Sequence, residues 1–385
     1  MLSQMTFPIL ALPQMEFGVD VSLNLAAHVK ALGRSTALIV TDAGLVASGA
    51  IAPLLAKLRA DGITVEVYDG VEANPTDLNV MAGAERLRAL DKPVLVAIGG
   101  GSAMDCGKAI ALLAPNGGTV AELQAAPPRH PGVPVIAVPT TSGTGSETNH
   151  ACVITNTTLG RKTVLIDLSI RPMVALLDPR LTLGLPKYPT ATCGFDVLTH
   201  AVEAFTSVRC TPYSDALALG AIRIVARHLR AVVADGSDLE ARSQLLLAST
   251  MAAAAFLVSG LGSTHGTGHA LSARLNAAHG QTLATMLPHV MDYNMPVRAA
   301  KYAEVAQALG VASATESEQH NARAAIHEVL ALRAAIGIER SIRELGGTDA
   351  LLPLLVADAL ADRANLANPR PLDAAAFEAL YRAAW

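Results

Sequence analysis

Charge is scarce in this chain of 385 residues: Asp, Glu, Lys and Arg make up 16% of it and sum to a net −4. That supply builds no broad basic face, which argues against a nucleic acid partner. Cysteine is scarce too. The four present, Cys106, Cys152, Cys193 and Cys210, form no CxxC pair and no regular framework, which predicts reduced thiols in a cytoplasmic protein. The first fifteen residues, MLSQMTFPILALPQM, lack the basic start of a signal peptide, and Pro8 and Pro13 interrupt their apolar run. One segment, Leu245 to Gly262, carries no charge over eighteen residues. As a helix it is roughly 27 Å long, short for a membrane span. Its MAAAAF run, with Ser249, Thr250 and Ser259, suits a helix buried in an all-helical core, so no membrane is expected.

The length allows two domains with separate cores. Residues 35–41 (STALIVT), 63–69 (ITVEVYD), 93–99 (PVLVAIG) and 133–139 (VPVIAVP) are apolar runs of strand length. They are too continuously apolar to be wet on one side, so they predict strands of a parallel sheet covered on both faces. Helical spacing over 50–60, 77–90 and 102–113 alternates with them, and MVALLD (173–178) reads as a last strand. The pattern is that of a doubly wound α/β domain. After Pro186 the chain is rich in Ala and Leu at a 3.6 period, an all-helical domain. The expected domains are 1–185 and 186–385.

Two loops follow neighbouring strands of the first half. GGGSAMDCGKAIALL (99–113) turns straight into a helix, so its amides can face an anion such as a pyrophosphate. It is not a GxGxxG fingerprint. PTTSGTGSE (139–147) gathers hydroxyls and glycines at the next strand end. Each alone suits an ordinary polar turn; together, at the carboxyl ends of adjacent strands, they predict a phosphate or dinucleotide site. Asp42 ends the strand 35–41, where an acid either caps the next helix or accepts bonds from an adenosine ribose and repels a 2′-phosphate.

The helical half carries the chemistry. Asp196 and His200 are four apart, as are His265 and His269, so each pair shares a helix face. His279 follows in NAAHG. Imidazoles with one carboxylate and no nearby thiolate suit Fe(II), Zn(II), Mn(II) or Co(II), and such a centre acts as a Lewis acid toward an alcohol or carbonyl oxygen. Spacing leaves five candidates for about four ligand places.

Taken together, these motifs resemble the iron-containing (group III) alcohol dehydrogenase family. GGGSAMDCGKA is similar to its GGGSxxDxAK turn, PTTSGTGSE to its PTTxGTGSE loop, and DPRLTLGLP to its interdomain connector. GFDVLTHAVEA, THGTGHAL with NAAHG, and LPHVMDYN are similar to its metal helices, and NPR at Asn368 to its C-terminal element. The resemblance spans almost the whole chain. It implies Asp196, His200, His265 and His279 as ligands of a divalent metal, foremost Fe(II), with His269 as the unliganded histidine of the reaction. It places Asp42 at the adenosine ribose with Asn74 nearby, Gly101, Ser102, Thr140, Thr141 and Thr144 at the phosphates, and Lys162 toward the nicotinamide ribose. Gly100, Asp105 and Asn149 complete the cofactor set. The implied activity is hydride transfer between NAD, in preference to NADP, and a small alcohol or aldehyde, in a cytoplasmic homodimer. Some positions depart from the pattern. Cys106-Gly107 is expected to loosen the start of its helix, and Asn149 stands in place of a cofactor-contacting threonine. The alternatives are a metal-free reductase of the maleylacetate type, a lyase resembling dehydroquinate synthase with a Glu-His-His set, and a catalytically silent NAD-binding protein.

Overall fold

A computed structural model describes residues 6–385; the reading of the leader as no signal peptide therefore falls partly on residues 1–5, outside the described residues. Two compact units make up the described chain: Leu12–Leu185, and Pro186–Trp385 together with residues 6–11.

The first unit runs β1 (Gln14–Phe17), α1 (Leu25–Ala31), β2 (Thr36–Val40), α2 (Ala43–Ala47), α3 (Ala52–Ala60), β3 (Thr64–Tyr68), α4 (Asp77–Arg88), β4 (Val94–Gly99), α5 (Gly101–Asn116), α6 (Val120–Ala125), β5 (Val135–Pro139), β6 (Ala151–Asn156), β7 (Arg161–Ile166) and β8 (Val174–Leu177). Six strands form one parallel sheet in the order β1-β8-β5-β4-β2-β3. Strands β4, β5 and β8 are buried at every position, which their unbroken apolar runs require. On one face Ile39, Val96, Ile98 and Ile136 pack with Leu25 and Val29 of α1 and Leu54 and Leu58 of α3. Each such aliphatic side chain contributes about 1.5–3 kcal/mol by leaving water. Gly107 of α5 lies against Leu95 and Ala97 on the other face. The expected loosening at Cys106-Gly107 does not occur: α5 is continuous from Gly101 to Asn116, because the missing side chain lets the helix lie close on the sheet.

Two features were not foreseen. Strand β1, at a sheet edge, is only four residues long. Strands β6 and β7 form an antiparallel hairpin outside the main sheet, and β6 alternates buried and half-buried positions, a pattern unlike the continuous runs of the sheet.

The second unit is helical: α7 (Lys187–Thr206), α8 (Pro212–Ala234), α9 (Leu239–Ser259), α10 (Ser263–Leu275), α11 (His279–Leu309), α12 (Glu318–Ala335), α13 (Leu352–Ala361) and α14 (Ala374–Ala383). Among the described residues, α9 is the one helix long and apolar enough to cross a membrane by length and composition. Its Ala241, Leu245, Ala248, Ala252 and Ala255 sit in the core shared with α7, α8, α11 and α12. Small side chains on both flanks of α9 let neighbouring helices approach it from more than one direction, as its sequence predicts.

Candidate metal centre and cofactor loops

In the helical unit, Asp196, His200 and Glu203 occupy positions i, i+4 and i+7 of α7, one face of the helix, and all three are buried. Oδ1 of Asp196 is the focus. His200 Nε2 lies 3.4 Å from it, His265 Nε2 3.7 Å and His279 Nε2 3.9 Å. Asp196, His265 and His279 offer ligand atoms all within 4.8 Å of one another. His200 stands beside this trio, its ring stacked on that of His265 at 4.7 Å between centroids. Neither Asp196 Oδ1 nor His265 Nε2 has a hydrogen-bond partner, although both are buried. Burial pushes the Asp196 carboxyl upward, but His200, His265 and His279 outweigh it and hold the group below the usual carboxylate range. A buried carboxylate whose Oδ1 accepts no hydrogen bond while three imidazole nitrogens face it at 3.4–3.9 Å is a donor set that fits a divalent cation.

The scaffold around the set is specific. His279 opens α11, and a Cβ on the next residue, Gly280, would sit 2.1 Å from the Thr192 carbonyl oxygen of α7. Only glycine lets the two helices approach this closely. His265 lies in the first turn of α10, where no side chain of the helix's own N-cap serves. Glu203 fills that role from α7. Its Oε1 accepts from the amides of Thr264 (2.7 Å) and His265 (3.3 Å), and its Oε2 from the amide of Gly262 (2.9 Å). His265 Nδ1 lies 2.6 Å from the same Oε2. Burial pushes Glu203 upward, but His265 and these bonds hold it below its usual value, so it is ionised and Nδ1 donates to it. The lone pair of Nε2 is then turned toward Asp196, the arrangement by which an outer carboxylate orients a metal-binding histidine. Burial lowers the affinity of His265 for a proton, but Glu203 and Asp196 outweigh it and raise its pKa to about 9, so a cation at Nε2 must displace a proton to use that lone pair.

His269, one turn beyond His265, does not join the focus at Asp196. Its Nδ1 lies 2.8 Å from Oδ2 of Asp362, and its ring stacks on His279 at 5.3 Å. Glu203 and Asp362 were both missed in the sequence. Glu203 had a visible signal, since it continues the face of Asp196 and His200 by one turn. Asp362 had none, being 93 residues from its partner.

In the α/β unit the two loops lie together. The Thr140 amide donates to the Gly99 carbonyl (2.9 Å), and a Cβ on Gly101 would lie 2.6 Å from Thr144 Cγ2. Helix α5 begins at Gly101 with no side-chain cap, so the amides around Ser102 stand beside Thr141 and Thr144, the environment of an anion site. Asp42 caps α2: its Oδ1 accepts from the Leu45 amide at 2.8 Å, while Oδ2 points toward Gly99. The capping reading is the one this geometry shows. Asn74, in the left-handed region at φ 58, and Lys162 both adjoin Thr155, which lies across the hairpin from Lys162 and donates to the Asn74 carbonyl at 3.5 Å. Burial lowers the pKa of Lys162, with Asp105 opposing.

Asp105 and Asn149 are engaged inside the unit. Asp105 accepts from Ser146 Oγ (2.5 Å) and the Val153 amide (2.8 Å). Asn149 Oδ1 accepts from the Ala151 amide (2.9 Å) and from Nζ of Lys108 (3.0 Å). Lys108, buried in α5, also donates to the carbonyls of Ser146 (3.0 Å) and Ala151. This ammonium ties the threonine loop to the helix; a lone charge in the apolar run GKAIALL was its sequence signal.

A family model described as iron-containing alcohol dehydrogenase matches residues 13–179, and one for the C-terminal part of the Fe-containing alcohol dehydrogenase family matches 190–385. The chain is 40% identical to a 1,3-propanediol dehydrogenase of Citrobacter freundii, covering 92% of both chains. It is 37% identical to a lactaldehyde reductase of Escherichia coli, covering 96% of this chain and 97% of that one. A crystal structure of a 1,3-propanediol oxidoreductase superposes with a TM-score of 0.94 at 37% identity, over 99% of this chain and 100% of the other. The chain belongs to the iron-containing alcohol dehydrogenase family, and it is an oxidoreductase that acts on alcohols or aldehydes with a nicotinamide cofactor and a metal.

Proposed function

We propose that Asp196, His200, His265 and His279 hold one divalent cation, foremost Fe(II), and that the enzyme interconverts a short alcohol or diol and its aldehyde with NAD in preference to NADP. The observation that carries this reading is the pair of buried atoms without hydrogen-bond partners, Asp196 Oδ1 and His265 Nε2, at the centre of the histidine cluster. Buried polar atoms of this kind cost about 1–3 kcal/mol each when unmet, and a cation meets both. When bound, the cation supplies a Lewis acid for the substrate oxygen. Glu203 keeps the Nε2 lone pair of His265 available to it. His269, engaged at Nδ1 by Asp362 and not by Asp196, is the proton carrier of the reaction. Asp42 receives the adenosine ribose, and Gly100, Gly101, Ser102, Thr140, Thr141 and Thr144 the phosphates, with Asn74 and Lys162 toward the nicotinamide end. Asp105 and Asn149 serve by shaping the threonine loop.

The substrate class follows the relatives, whose names specify a three-carbon diol and a hydroxyaldehyde. A cytoplasmic homodimer is the family expectation, and the free state of all four cysteines agrees with a reducing compartment. The intact donor set speaks against the metal-free reductase and the silent NAD-binding protein. The test is elemental analysis of protein purified without oxygen, followed by a panel of alcohols and aldehydes with both cofactors. One equivalent of iron and NAD-dependent turnover of short diols support the proposal; absence of any bound transition metal overturns it.

A further inference from the structure

The geometry points to Asp362 as a positioning residue that fixes His269 as the Nδ1–H tautomer and so makes Nε2 the atom that carries the proton. The inference rests on the proposed role of His269. Asp362 lies between α13 and a short 3-10 turn, Arg363–Ala367. Its two oxygens have separate duties. Oδ1 accepts from the Ala364 amide at 2.8 Å and caps the turn; Oδ2 faces His269 Nδ1 at 2.8 Å. Asn365 holds the turn in place, its Nδ2 donating to the carbonyls of Ala359 (2.6 Å) and Asp362 (2.9 Å). The carboxylate is thus locked from behind before it meets the imidazole.

Charge supports the same assignment. Burial pushes the Asp362 carboxyl upward, but the bond and charge of His269, the Ala364 amide and His265 together outweigh it and keep the group below its usual range. An ionised carboxylate has no proton to give, so Nδ1 must be the donor. Nε2 then holds the lone pair that receives a proton when an alcohol is oxidised, and returns it when an aldehyde is reduced. The imidazolium formed in between is stabilised by the adjacent carboxylate. His269 is about one-quarter exposed, as is its stacking partner His279, so its proton can pass on to water.

The test uses Asp362→Asn, Asp362→Ser, His269→Ala and the His269→Ala/Asp362→Asn double variant in the full-length, metal-loaded enzyme. In Asp362→Asn the carbonyl oxygen is retained by the Ala364 amide and the NH2 turns to His269, imposing the Nε2–H tautomer. Serine keeps the cap and removes the charge, which separates folding from positioning. Expected is a fall in kcat of roughly tenfold to a hundredfold in both Asp362 variants, as for a proton-transfer group turned the wrong way, with KM and metal content unchanged. The double variant should be no slower than His269→Ala. Nitrogen-15 spectra of histidine-labelled, zinc-loaded protein should show His269 as Nδ1–H in the parent and Nε2–H in Asp362→Asn, a readout independent of turnover. Parent-like kcat or an unchanged tautomer in Asp362→Asn, or multiplicative losses in the double variant, overturns the inference about Asp362. Full turnover by His269→Ala instead overturns the proposed role of His269 itself.

Discussion

Replacing Glu203 by glutamine keeps the shape of the side chain and changes two things, its charge and one of its two acceptors. The carboxylate takes four bonds, three from the amides of Gly262, Thr264 and His265 and one from His265 Nδ1. Glutamine costs least when its oxygen stays on Thr264 and the His265 amide and its NH2 faces Nδ1. His265 then accepts at Nδ1 and carries its proton on Nε2, and the Gly262 amide alone is left unmet, a cost of about 1–3 kcal/mol. Loss of the negative charge at the start of α10 adds about 0.3–2 kcal/mol. For a unit of this size each kcal/mol shifts Tm by roughly 2–4 °C, so the metal-free variant should melt several degrees to about 20 °C lower while remaining folded at 25 °C. Metal affinity should fall about 10–100-fold, as for other outer-carboxylate losses, because the tautomer must reverse before Nε2 can coordinate. The assay is a metal titration and a thermal melt of the same metal-free preparation. A variant with the parent's Kd for metal refutes the orienting role of Glu203, whatever its Tm.

Three further outcomes are expected. His265→Ala and His279→Ala should each lose metal and activity together, as measured by metal content beside kcat on one preparation; full metal in either removes that residue from the ligand set. Asp42→Gly should relax the preference for NAD by at least about tenfold in the ratio of kcat/KM for the two cofactors, since about 1.4 kcal/mol of like-charge repulsion accounts for each factor of ten; a parent enzyme that prefers NADP contradicts the reading. Gly280→Ala forces α11 away from the Thr192 carbonyl and carries His279 with it, so metal affinity should drop at least tenfold with a lowered Tm, and a parent-like metal titration would show that the helix start can yield.

The parallel sheet was legible because strands buried on both faces must be apolar throughout, and 93–99 and 133–139 are. The hairpin β6–β7 was not, since one wet face breaks that pattern and leaves only a weak alternation in ACVITN. The ligand candidates were legible from i, i+4 spacing, a local property of a helix, but spacing could not rank them. Ranking needed distances: His279 reaches Asp196 Oδ1 at 3.9 Å, whereas His269 turns its Nδ1 to Asp362. The supporting carboxylates depend on contacts across 62 and 93 residues, information no local period contains. Asp105 and Asn149 show the converse: a motif position marks where a residue lies, not which way its polar atoms turn. For both, the buried ammonium of Lys108 and the amides of β6 decide that.

The central claim is that Asp196, His200, His265 and His279 would hold a metal that this chain needs for hydride transfer between nicotinamide and substrate, the metal supplying a Lewis acid for the substrate oxygen. It is tested most directly by NADH oxidation with a short hydroxyaldehyde before chelation, after chelation, and after Fe(II) is returned without oxygen. The account predicts that turnover disappears with the metal while NADH binding persists, and that one equivalent of Fe(II) restores it. Undiminished turnover by the metal-free protein would contradict the account and place the chain with the metal-free reductases.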